Sequence, residues 1–322
     1  MKPGPRVSMV VGSAGQDGHY LSERLRARGD EVLGVTRSQC VSSTSGRVDA
    51  IAIADRAQVS GLIAAHRPDE IYYLAAAHGA AESGVEDSHD TFERCREAHV
   101  TGWLNFLDAV ERQGVGSRLF YAASSHVFGE PASSPQSELT PLAPVCAYGI
   151  TKAAGIGLCR MYRRTGGIFC AAGILYNHES PRRKLPFVSR KIVQAAAEVK
   201  LGIRRTLTLG SLSAAVDWGA AEDYTDAMIR ILNLDSPADF VIASGRLHTV
   251  KQFVEAAFSA VGLAWEQHVV EDSSILKGVR RATPLLGDAT RLRDATGWRP
   301  SLDFAEMVRR MVVAELKTRT TH

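Results

Sequence analysis

Three residues, Ser124, Tyr148 and Lys152, have the side chains and spacing needed to move a proton from an alcohol. A helix places residues four apart on one face, so Tyr148 and Lys152 are neighbours if they share a helix. A free tyrosine has a pKa of about 10, and a nearby ammonium lowers the pKa toward that of a useful base. A serine hydroxyl within reach relays the proton or binds the substrate oxygen. The set suits proton removal from a carbinol whose hydride passes to a nicotinamide.

The Tyr-x-x-x-Lys spacing also describes an ordinary pair on a helix surface. Its position favours the chemical interpretation. It follows an apolar strand predicted at 119–122, the pair Ser124 and Ser125, and a loop rich in glycine and proline.

A glycine-spaced loop follows the first predicted strand, Val7–Val11, and precedes a predicted helix. Glycines permit a tight turn and a close approach of the backbone to a pyrophosphate, which the helix N-terminus then attracts. A plain structural turn is the alternative. The residues predicted to bind the cofactor here are Gly12, Gly15, Gln16, Asp17 and Gly18.

The end of the second predicted strand indicates which dinucleotide binds. An acidic residue there would bind the ribose hydroxyls of NAD, whereas this chain has Arg37 and Ser38. An arginine can pair with a 2′-phosphate, so NADP(H) is favoured and NAD(H) stays possible. The alternative for Arg37 is a solvated surface charge.

Strand-length apolar runs alternate with helical patterns through the first half of the chain. This rhythm predicts an α/β fold, a doubly wound parallel (Rossmann) sheet with a smaller α/β substrate-binding lobe. We assign residues 1–176 and a return segment, about 215–245, to the dinucleotide-binding domain. Residues of about 177–214 and 246–322 form the lobe. Further strands are predicted at 31–35, 71–76, 168–176 and 238–244, and helices at 100–110, 147–162, 185–201 and 304–316.

Composition excludes several classes of function. The net charge of +3 and the lack of basic runs interleaved with aromatics argue against nucleic acid. No apolar run is long enough to span a bilayer, and the N-terminus does not resemble a signal peptide. Five cysteines without Cys-x-x-Cys spacing indicate a reduced, cytoplasmic protein. The histidines lack ligand-like spacing, so we predict no metal.

Several blocks resemble the extended short-chain dehydrogenase/reductases, and within them the GDP-mannose 4,6-dehydratases, over nearly the whole chain. The Asn-His-Glu-Ser-Pro-Arg-Arg run at 177–183 is the most specific block. The others are the 11–18 loop, Pro-Asp-Glu-Ile-Tyr-Tyr-Leu-Ala-Ala at 68–76, Phe-Val-Ser-Arg-Lys-Ile at 187–192, and segments at 209–224 and 286–298.

The resemblance implies a nucleotide-diphosphate-sugar substrate, a homo-oligomer (dimer or tetramer) and a cofactor contact at Ala75. It implies that Asn177, Arg183, Arg190 and Arg280 hold the diphosphate, with Ser125 also near the substrate. Arginines suit phosphate oxygens because they bind them in forked pairs. Each arginine alone is equally well a surface charge.

The chain departs from the dehydratase pattern at its catalytic loop. The dehydratases present a Ser or Thr, a spacer and a glutamate, and the matching residues here are Ser124, Ser125 and His126. Imidazole can act as acid or base near neutral pH. Alternatively, His126 faces the cleft without a catalytic duty. Other departures are Val216 for a phosphate-binding arginine, Ala52 for an acidic residue near adenine, and His99 for an asparagine.

The lost glutamate favours hydride transfer at sugar carbon 4 without net loss of water, by a 4-epimerase or a 4-ketoreductase. A 4,6-dehydratase that uses His126 as its acid or base is the first alternative. A non-catalytic NADP-binding sensor or scaffold is the second, since fold does not fix function.

Overall fold

An eight-stranded sheet and two smaller sheets make up the β structure of the computed structural model. The structure describes residues 4–36, 40–42, 46–48, 51–77, 88–275 and 283–320. The strands are β1 Val7–Val11, β2 Glu31–Val35, β3 Cys40–Ser42, β4 Gly46–Val48, β5 Glu70–Tyr73, β6 Arg118–Ala122, β7 Cys170–Leu175, β8 Asn177–Glu179, β9 Leu207–Leu209, β10 Ala215–Ala220, β11 Asp239–Ile242, β12 Leu247–Thr249 and β13 Val269–Glu271.

Ten α-helices connect and cover these strands within the described ranges. No described helix has the length and apolar character that crossing a membrane requires. A π-helical segment, Glu97–Thr101, separates the third and fourth helices. The helices are α1 Gln16–Arg28, α2 Arg56–His66, α3 His89–Arg96, α4 Gly102–Arg112, α5 Ala147–Thr165, α6 Val188–Lys200, α7 Ala221–Leu232, α8 Val250–Ser259, α9 Thr290–Thr296 and α10 Phe304–Thr320.

The order of strands in the large sheet is β11-β7-β6-β5-β1-β2-β3-β4, and the first six are parallel. The predicted doubly wound sheet is therefore confirmed. Strand β11 pairs with β7, so the predicted return strand at 238–244 is also correct. Strand β1 lies between β2 and β5, where the chain reverses direction across the sheet. Ligands of such sheets bind in the crevice beyond the carboxyl ends of these strands.

Alternate side chains of the central strands enter two separate cores. Met9 and Val11 pack on the face that α2, α4 and α5 cover. Val10 packs on the opposite face, beneath α1, α7 and α9. Strands buried on both faces read as continuous apolar runs, which is why the sequence predicts them as short and fully buried. The first helix ends at the residue expected, because Gly29 adopts φ 95° as its C-cap.

A smaller lobe contains the sheet β12-β10-β8, the pair β13-β9 and helices α6, α8 and α10. Its core includes Trp218, Phe253 and Met311. Strand β10 lies in this lobe's sheet and pairs with β8 and β12. The sequence places residues 215–245 with the dinucleotide-binding domain. Within that range, α7 and β11 pack on or pair with the large sheet, whereas β10 belongs to the sheet of the lobe.

Two buried side chains join the lobe and the large sheet. The Asp217 carboxylate of β10 accepts hydrogen bonds from the backbone N–H groups of Ser244 (2.9 Å), Gly245 (3.1 Å) and Gly287 (3.1 Å). The side-chain oxygen of Gln136, in the loop after β6, accepts the Leu286 N–H at 3.0 Å and the Tyr176 hydroxyl at 2.9 Å. Chain segments distant in sequence therefore meet beside β7 and β11.

Candidate active site

The loop between β1 and α1 has the shape that a phosphate group requires. Gly12 has φ +94°, and a Cβ there would lie 3.0 Å from the backbone of Leu74 and Ala75. A Cβ on Gly18 would lie 2.4 Å from the carbonyl oxygen of Gly12. Helix α1 begins at Gln16 without a side-chain cap, so its first N–H groups remain available to an anion. The loop therefore has a shape that can accept a dinucleotide diphosphate. Side chains at Gly12 or Gly18 would collide with the backbone and change that shape.

The predicted catalytic residues come from two elements that meet at the sheet's carboxyl edge. Ser124 follows β6 and caps a 3₁₀ turn, Ser125–Phe128. Tyr148 and Lys152 occupy the first turns of α5, which Cys146 caps by accepting the Gly149 N–H at 3.4 Å.

Ser124, Tyr148 and Lys152 lie close enough to act together. The hydroxyl of Ser124 hydrogen-bonds to the phenol of Tyr148. The Lys152 ammonium nitrogen lies 5.7 Å from the Tyr148 ring centroid and donates to the Ala122 carbonyl at 2.7 Å. These contacts match the geometry expected from their spacing.

Burial controls the protonation of this pair more than their proximity does. Burial raises the pKa of Tyr148 above its usual value, and the hydrogen bond from Ser124 opposes the rise. Burial also lowers the pKa of Lys152 to about 7. The spacing of Tyr148 and Lys152 predicts that the lysine lowers the pKa of the tyrosine. That prediction is wrong, because burial raises the pKa of Tyr148.

Two imidazoles flank the Tyr148 ring edge to face. The ring centroid of His99 is 5.1 Å away and that of His126 is 5.7 Å away. His126 also lies near Cys146, with Nδ1 3.9 Å from Sγ. The His126 side chain therefore borders the tyrosine that the sequence predicts to be catalytic.

His99 is buried in the π-helical segment and holds two elements together. Its Nε2 accepts the Ala77 N–H at 3.1 Å, and its Nδ1 is 2.8 Å from the Thr151 hydroxyl. That hydroxyl donates to the Ala147 carbonyl at 2.8 Å, so it accepts from Nδ1–H. His99 is therefore neutral, with its proton on Nδ1. It joins the chain after β5 to α5, beside Tyr148.

The segment 177–183 meets the phosphate loop through an ion pair that the sequence does not predict. The Nε2 of His178 lies 3.0 and 2.9 Å from the two carboxylate oxygens of Asp17. These residues are 161 positions apart. The only signal in the sequence is that His178 follows Asn177 in the most specific block of the resemblance.

The predicted substrate residues fall in different places. Asn177 and Arg183 line the same cavity as Tyr148. The Arg183 guanidinium lies 3.6 Å from the Phe187 ring centroid and 3.1 Å from a Glu179 carboxylate oxygen. Arg190 instead pairs with Glu315 of α10 at 2.5 Å and is not among the lining residues that the structure describes.

The remaining predicted site residues are buried beside the cavity or lie outside the described residues. Ser125 is buried, and Ala75 is half-buried against the core, between the lining residues Leu74 and Ala76. Arg37, Ser38 and Arg280 lie outside the described residues.

The cavity has a volume of about 340 Å³, within the range of small-molecule sites. A second, more open cleft of about 650 Å³ lies between β10, β12 and the start of α10. We place the active site in the smaller cavity, because the phosphate loop and the Ser, Tyr and Lys residues all line it. Its lining comprises Gly12, Gly15, Gln16, Asp17, Gly18, Leu74, Ala76, Ala122, Ala123, Ser124, His126, Tyr148, Lys152, Leu175, Tyr176, Asn177, His178, Arg183, Lys184, Leu185, Pro186 and Phe187.

A doubly wound sheet that joins a glycine-spaced loop to a Ser, Tyr and Lys set defines an extended short-chain dehydrogenase/reductase. The sequence model of one family within this class, GDP-mannose 4,6 dehydratase, matches residues 9–311. The chain belongs to the GDP-mannose 4,6 dehydratase family.

Individual relatives agree with this assignment. GDP-mannose 4,6 dehydratase 1 of Arabidopsis thaliana is 34% identical over 333 residues, spanning 97% of this chain and 90% of the relative. GDP-mannose 4,6 dehydratase of Homo sapiens is 35% identical over 352 residues, spanning 98% and 93%. The predicted resemblance is confirmed, as is the expectation of an enzyme of this nucleotide-sugar class.

Solved structures share the fold at lower identity. RMD from Pseudomonas aeruginosa complexed with NADPH superposes with a TM-score of 0.83 at 21% identity, covering 97% of this chain and 99% of that one. UDP-glucose 4-epimerase from Thermotoga maritima with UDP-glucose has a TM-score of 0.81 at 21% identity, covering 98% and 100%. Both support the fold assignment.

Proposed function

We propose that this protein is an NADP(H)-dependent enzyme that transfers hydride at carbon 4 of a nucleotide-diphosphate-sugar, as a 4-epimerase or a 4-ketoreductase. One observation favours these reactions over dehydration. Among the described lining residues Asp17 is the sole carboxylate, and His178 already pairs with it. No described carboxylate therefore borders Tyr148 to remove the carbon 5 proton that dehydration requires.

Each catalytic residue has a defined task in this reaction. When bound, the dinucleotide accepts or returns the hydride of carbon 4. Tyr148 exchanges the proton of the carbon 4 oxygen, and Ser124 hydrogen-bonds the same oxygen. Lys152 holds the nicotinamide ribose and sets the charge beneath the phenol. The raised pKa of Tyr148 suits the direction in which a phenol gives its proton to a keto oxygen.

Reduction of a 4-keto sugar in this cavity needs a hydride and a proton, and it needs no further catalytic base. A hydride supplied by bound NADPH would form a bond to carbon 4 as the carbonyl π pair moves to oxygen. That oxygen takes the Tyr148 proton, and the phenolate regains a proton from solvent. A 4-epimerase would first run these steps in reverse, then rotate the keto sugar before hydride returns to its other face. A ketoreductase would take a keto sugar from another enzyme and consume NADPH.

Substrate and cofactor preferences extend this proposal. Asn177 and Arg183, beside Tyr148 in the cavity, support a diphosphate near the sugar. We propose GDP-mannose as the first substrate to test, because the similar relatives are GDP-mannose dehydratases. The preference for NADP(H) over NAD(H) is proposed from Arg37 and Ser38 in the sequence.

The second candidate is 4,6-dehydration with His126 as acid or base. Two observations favour it. The relatives at 34% and 35% identity are dehydratases, and the His126 ring borders the Tyr148 ring in the cavity. An imidazole at this position would exchange the proton at carbon 5.

The masses of the products separate these reactions. Purified protein is incubated with GDP-mannose and related nucleotide sugars, and with their 4-keto forms, in the presence of NADP⁺ or NADPH. Unchanged mass with a new sugar NMR spectrum identifies an epimerase. Gain of two hydrogens with NADPH oxidation identifies a reductase. Loss of one water contradicts our proposal and supports the second candidate.

Three variants test the residue roles. Tyr148→Phe should abolish turnover and retain dinucleotide binding. His126→Ala should change dehydration strongly if His126 is its acid or base, and carbon 4 redox little. His89→Ala is the matched control, because the His89 side chain is 86% exposed. Full turnover by the Tyr148 variant would refute the mechanism.

A further inference from the structure

The phosphate loop carries a carboxylate, that of Asp17, at the place where the negatively charged diphosphate is expected to bind. Asp17 is the second residue of α1, lines the cavity and has a side chain only 19% exposed. Under the proposed function, the dinucleotide diphosphate binds at this helix N-terminus. A carboxylate within several Å of a diphosphate repels it strongly in a partly buried site.

His178 supplies the opposite charge. Its Nε2 faces the two Asp17 oxygens, and its Nδ1 lies 2.7 Å from the Tyr176 carbonyl oxygen. A carbonyl and a carboxylate only accept hydrogen bonds, so both ring nitrogens must donate and the ring is an imidazolium. The Tyr224 ring stacks on it with a centroid separation of 4.6 Å.

Several charged or titratable groups surround this pair. Burial by itself lowers the pKa of His178, but Asp17 outweighs burial and raises it, against Arg183. Burial by itself raises the pKa of Asp17, but His178, Gln16 and Arg183 together outweigh burial and lower it. From α5, Lys152 and Tyr148 interact with Asp17 over longer range. Glu179 next to His178, and Tyr224 from α7, complete the set.

Neutral contacts tie the same two segments together. The Gln16 side-chain amide donates to the His178 carbonyl at 3.0 Å, and the Ser180 hydroxyl donates to Gln16 at 2.8 Å. Asn177, adjacent to His178, lines the same cavity. The position of the segment 177–183 is thus coupled to the position of the phosphate loop.

We propose that His178 is a positioning residue whose imidazolium neutralises Asp17 and so allows the phosphate loop to accept the dinucleotide diphosphate. This inference rests on the proposed function. Loss of the imidazolium proton leaves the Asp17 charge uncompensated beside the diphosphate. Dinucleotide affinity should therefore be high while His178 is protonated and fall as the pH rises through its raised pKa. Binding at alkaline pH should take up a proton.

Titrating dinucleotide affinity against pH tests this role. NADH and NADPH are titrated calorimetrically at pH 6–9, and NADH is included because it lacks the 2′-phosphate that itself titrates near pH 6. Wild-type affinity for both should fall by about tenfold from pH 6 to pH 9, the order expected for one uncompensated charge. Buffers of different ionisation enthalpy should reveal proton uptake at pH 8–9.

Conservative variants assign the effect to the pair. In a Lys152→Met background, which removes the other cavity group whose pKa is about 7, Asp17→Asn should abolish the pH dependence and bind at pH 9 at least as tightly as its parent. His178→Gln should bind about tenfold more weakly at every pH, and the double variant should recover the affinity. His19→Gln is the matched control, because the partly exposed His19 pairs with the exposed Glu23 on the same helix at 3.3 Å.

The failures of the two proposals are distinguishable. Wild-type protein that binds neither dinucleotide at any pH overturns the proposed function. Equal binding at pH 6 and pH 9 overturns the role of His178 alone. Weaker binding by Asp17→Asn at pH 9, in protein with a wild-type circular dichroism spectrum, means that Asp17 contacts the cofactor directly and also overturns it.

Discussion

Replacing Lys152 with methionine should remove most of a rise in stability that wild-type protein gains between neutral and alkaline pH. Burial lowers the pKa of Lys152 from 10.5 to about 7 in the folded protein. Between these values the unfolded chain binds more protons, so the free energy of unfolding rises with pH. Below pH 7 both states are protonated, and the penalty for burying the charge is constant.

The size of the effect follows from the pKa difference. Each pH unit well inside this window is equivalent to about 1.4 kcal/mol. Because Lys152 is half-titrated at pH 7, the first unit contributes less, which gives about 2 kcal/mol between pH 7 and pH 9. Methionine retains the side-chain volume but leaves the Ala122 carbonyl without its Lys152 donor. That loss does not depend on pH, so the pH dependence of the difference between the proteins isolates the charge.

Urea unfolding at pH 7, 8 and 9 measures this difference. Wild type should gain about 2 kcal/mol relative to Lys152→Met over the range. Lys191→Met, at an exposed position of α6, is the control and should track wild type. A difference that stays constant from pH 7 to pH 9 would mean that Lys152 titrates like an exposed lysine, and our account of the pair would be wrong.

Three further substitutions test the loop, the histidine contact and the lobe. Gly18→Ala adds a Cβ 2.4 Å from a backbone oxygen and should weaken dinucleotide binding, measured by fluorescence, by more than about tenfold, whereas Gly61→Ala, which has open space, should not. Thr151→Val leaves the ring N–H of His99 without its acceptor and should lower the free energy of unfolding by about 1–3 kcal/mol, with a lower kcat; unchanged values would contradict the role given to His99. Asp223→Asn disturbs three hydrogen bonds to the segment before α10 and should destabilise by about 1–3 kcal/mol in thermal or urea unfolding.

Local sequence patterns predict much of the large sheet. Apolar runs give β1 and β2 at their observed bounds, and Gly29 ends α1 as expected. The i, i+4 spacing of Tyr148 and Lys152 also gives their proximity. These features depend on neighbours in sequence or on periodicity, which a single chain displays.

Features that depend on distant contacts and burial were not predictable. The His178–Asp17 pair joins residues from two separate segments, and the pairing of β10 with β8 depends on the lobe's own sheet. The spacing of Tyr148 and Lys152 says nothing about how deeply each is buried, so the predicted direction of the Tyr148 pKa change was wrong. The π-helical segment around His99 likewise has no periodic signature in the chain.

Strand β11 forms one edge of the eight-stranded sheet, yet it follows much of the lobe in the chain. During synthesis on the ribosome, β7 therefore keeps an open edge until Asp239–Ile242 has emerged. The Gly287 N–H, which donates to the Asp217 carboxylate, is synthesised later still. Nascent chains expose this edge to other chains for more than 60 residues of translation (from Leu175 to Asp239), so dependence on chaperones should be greatest over that interval. A fragment that stops at residue 176 would carry the same open edge permanently, which makes the nucleotide-binding half unsuitable as a separately expressed module.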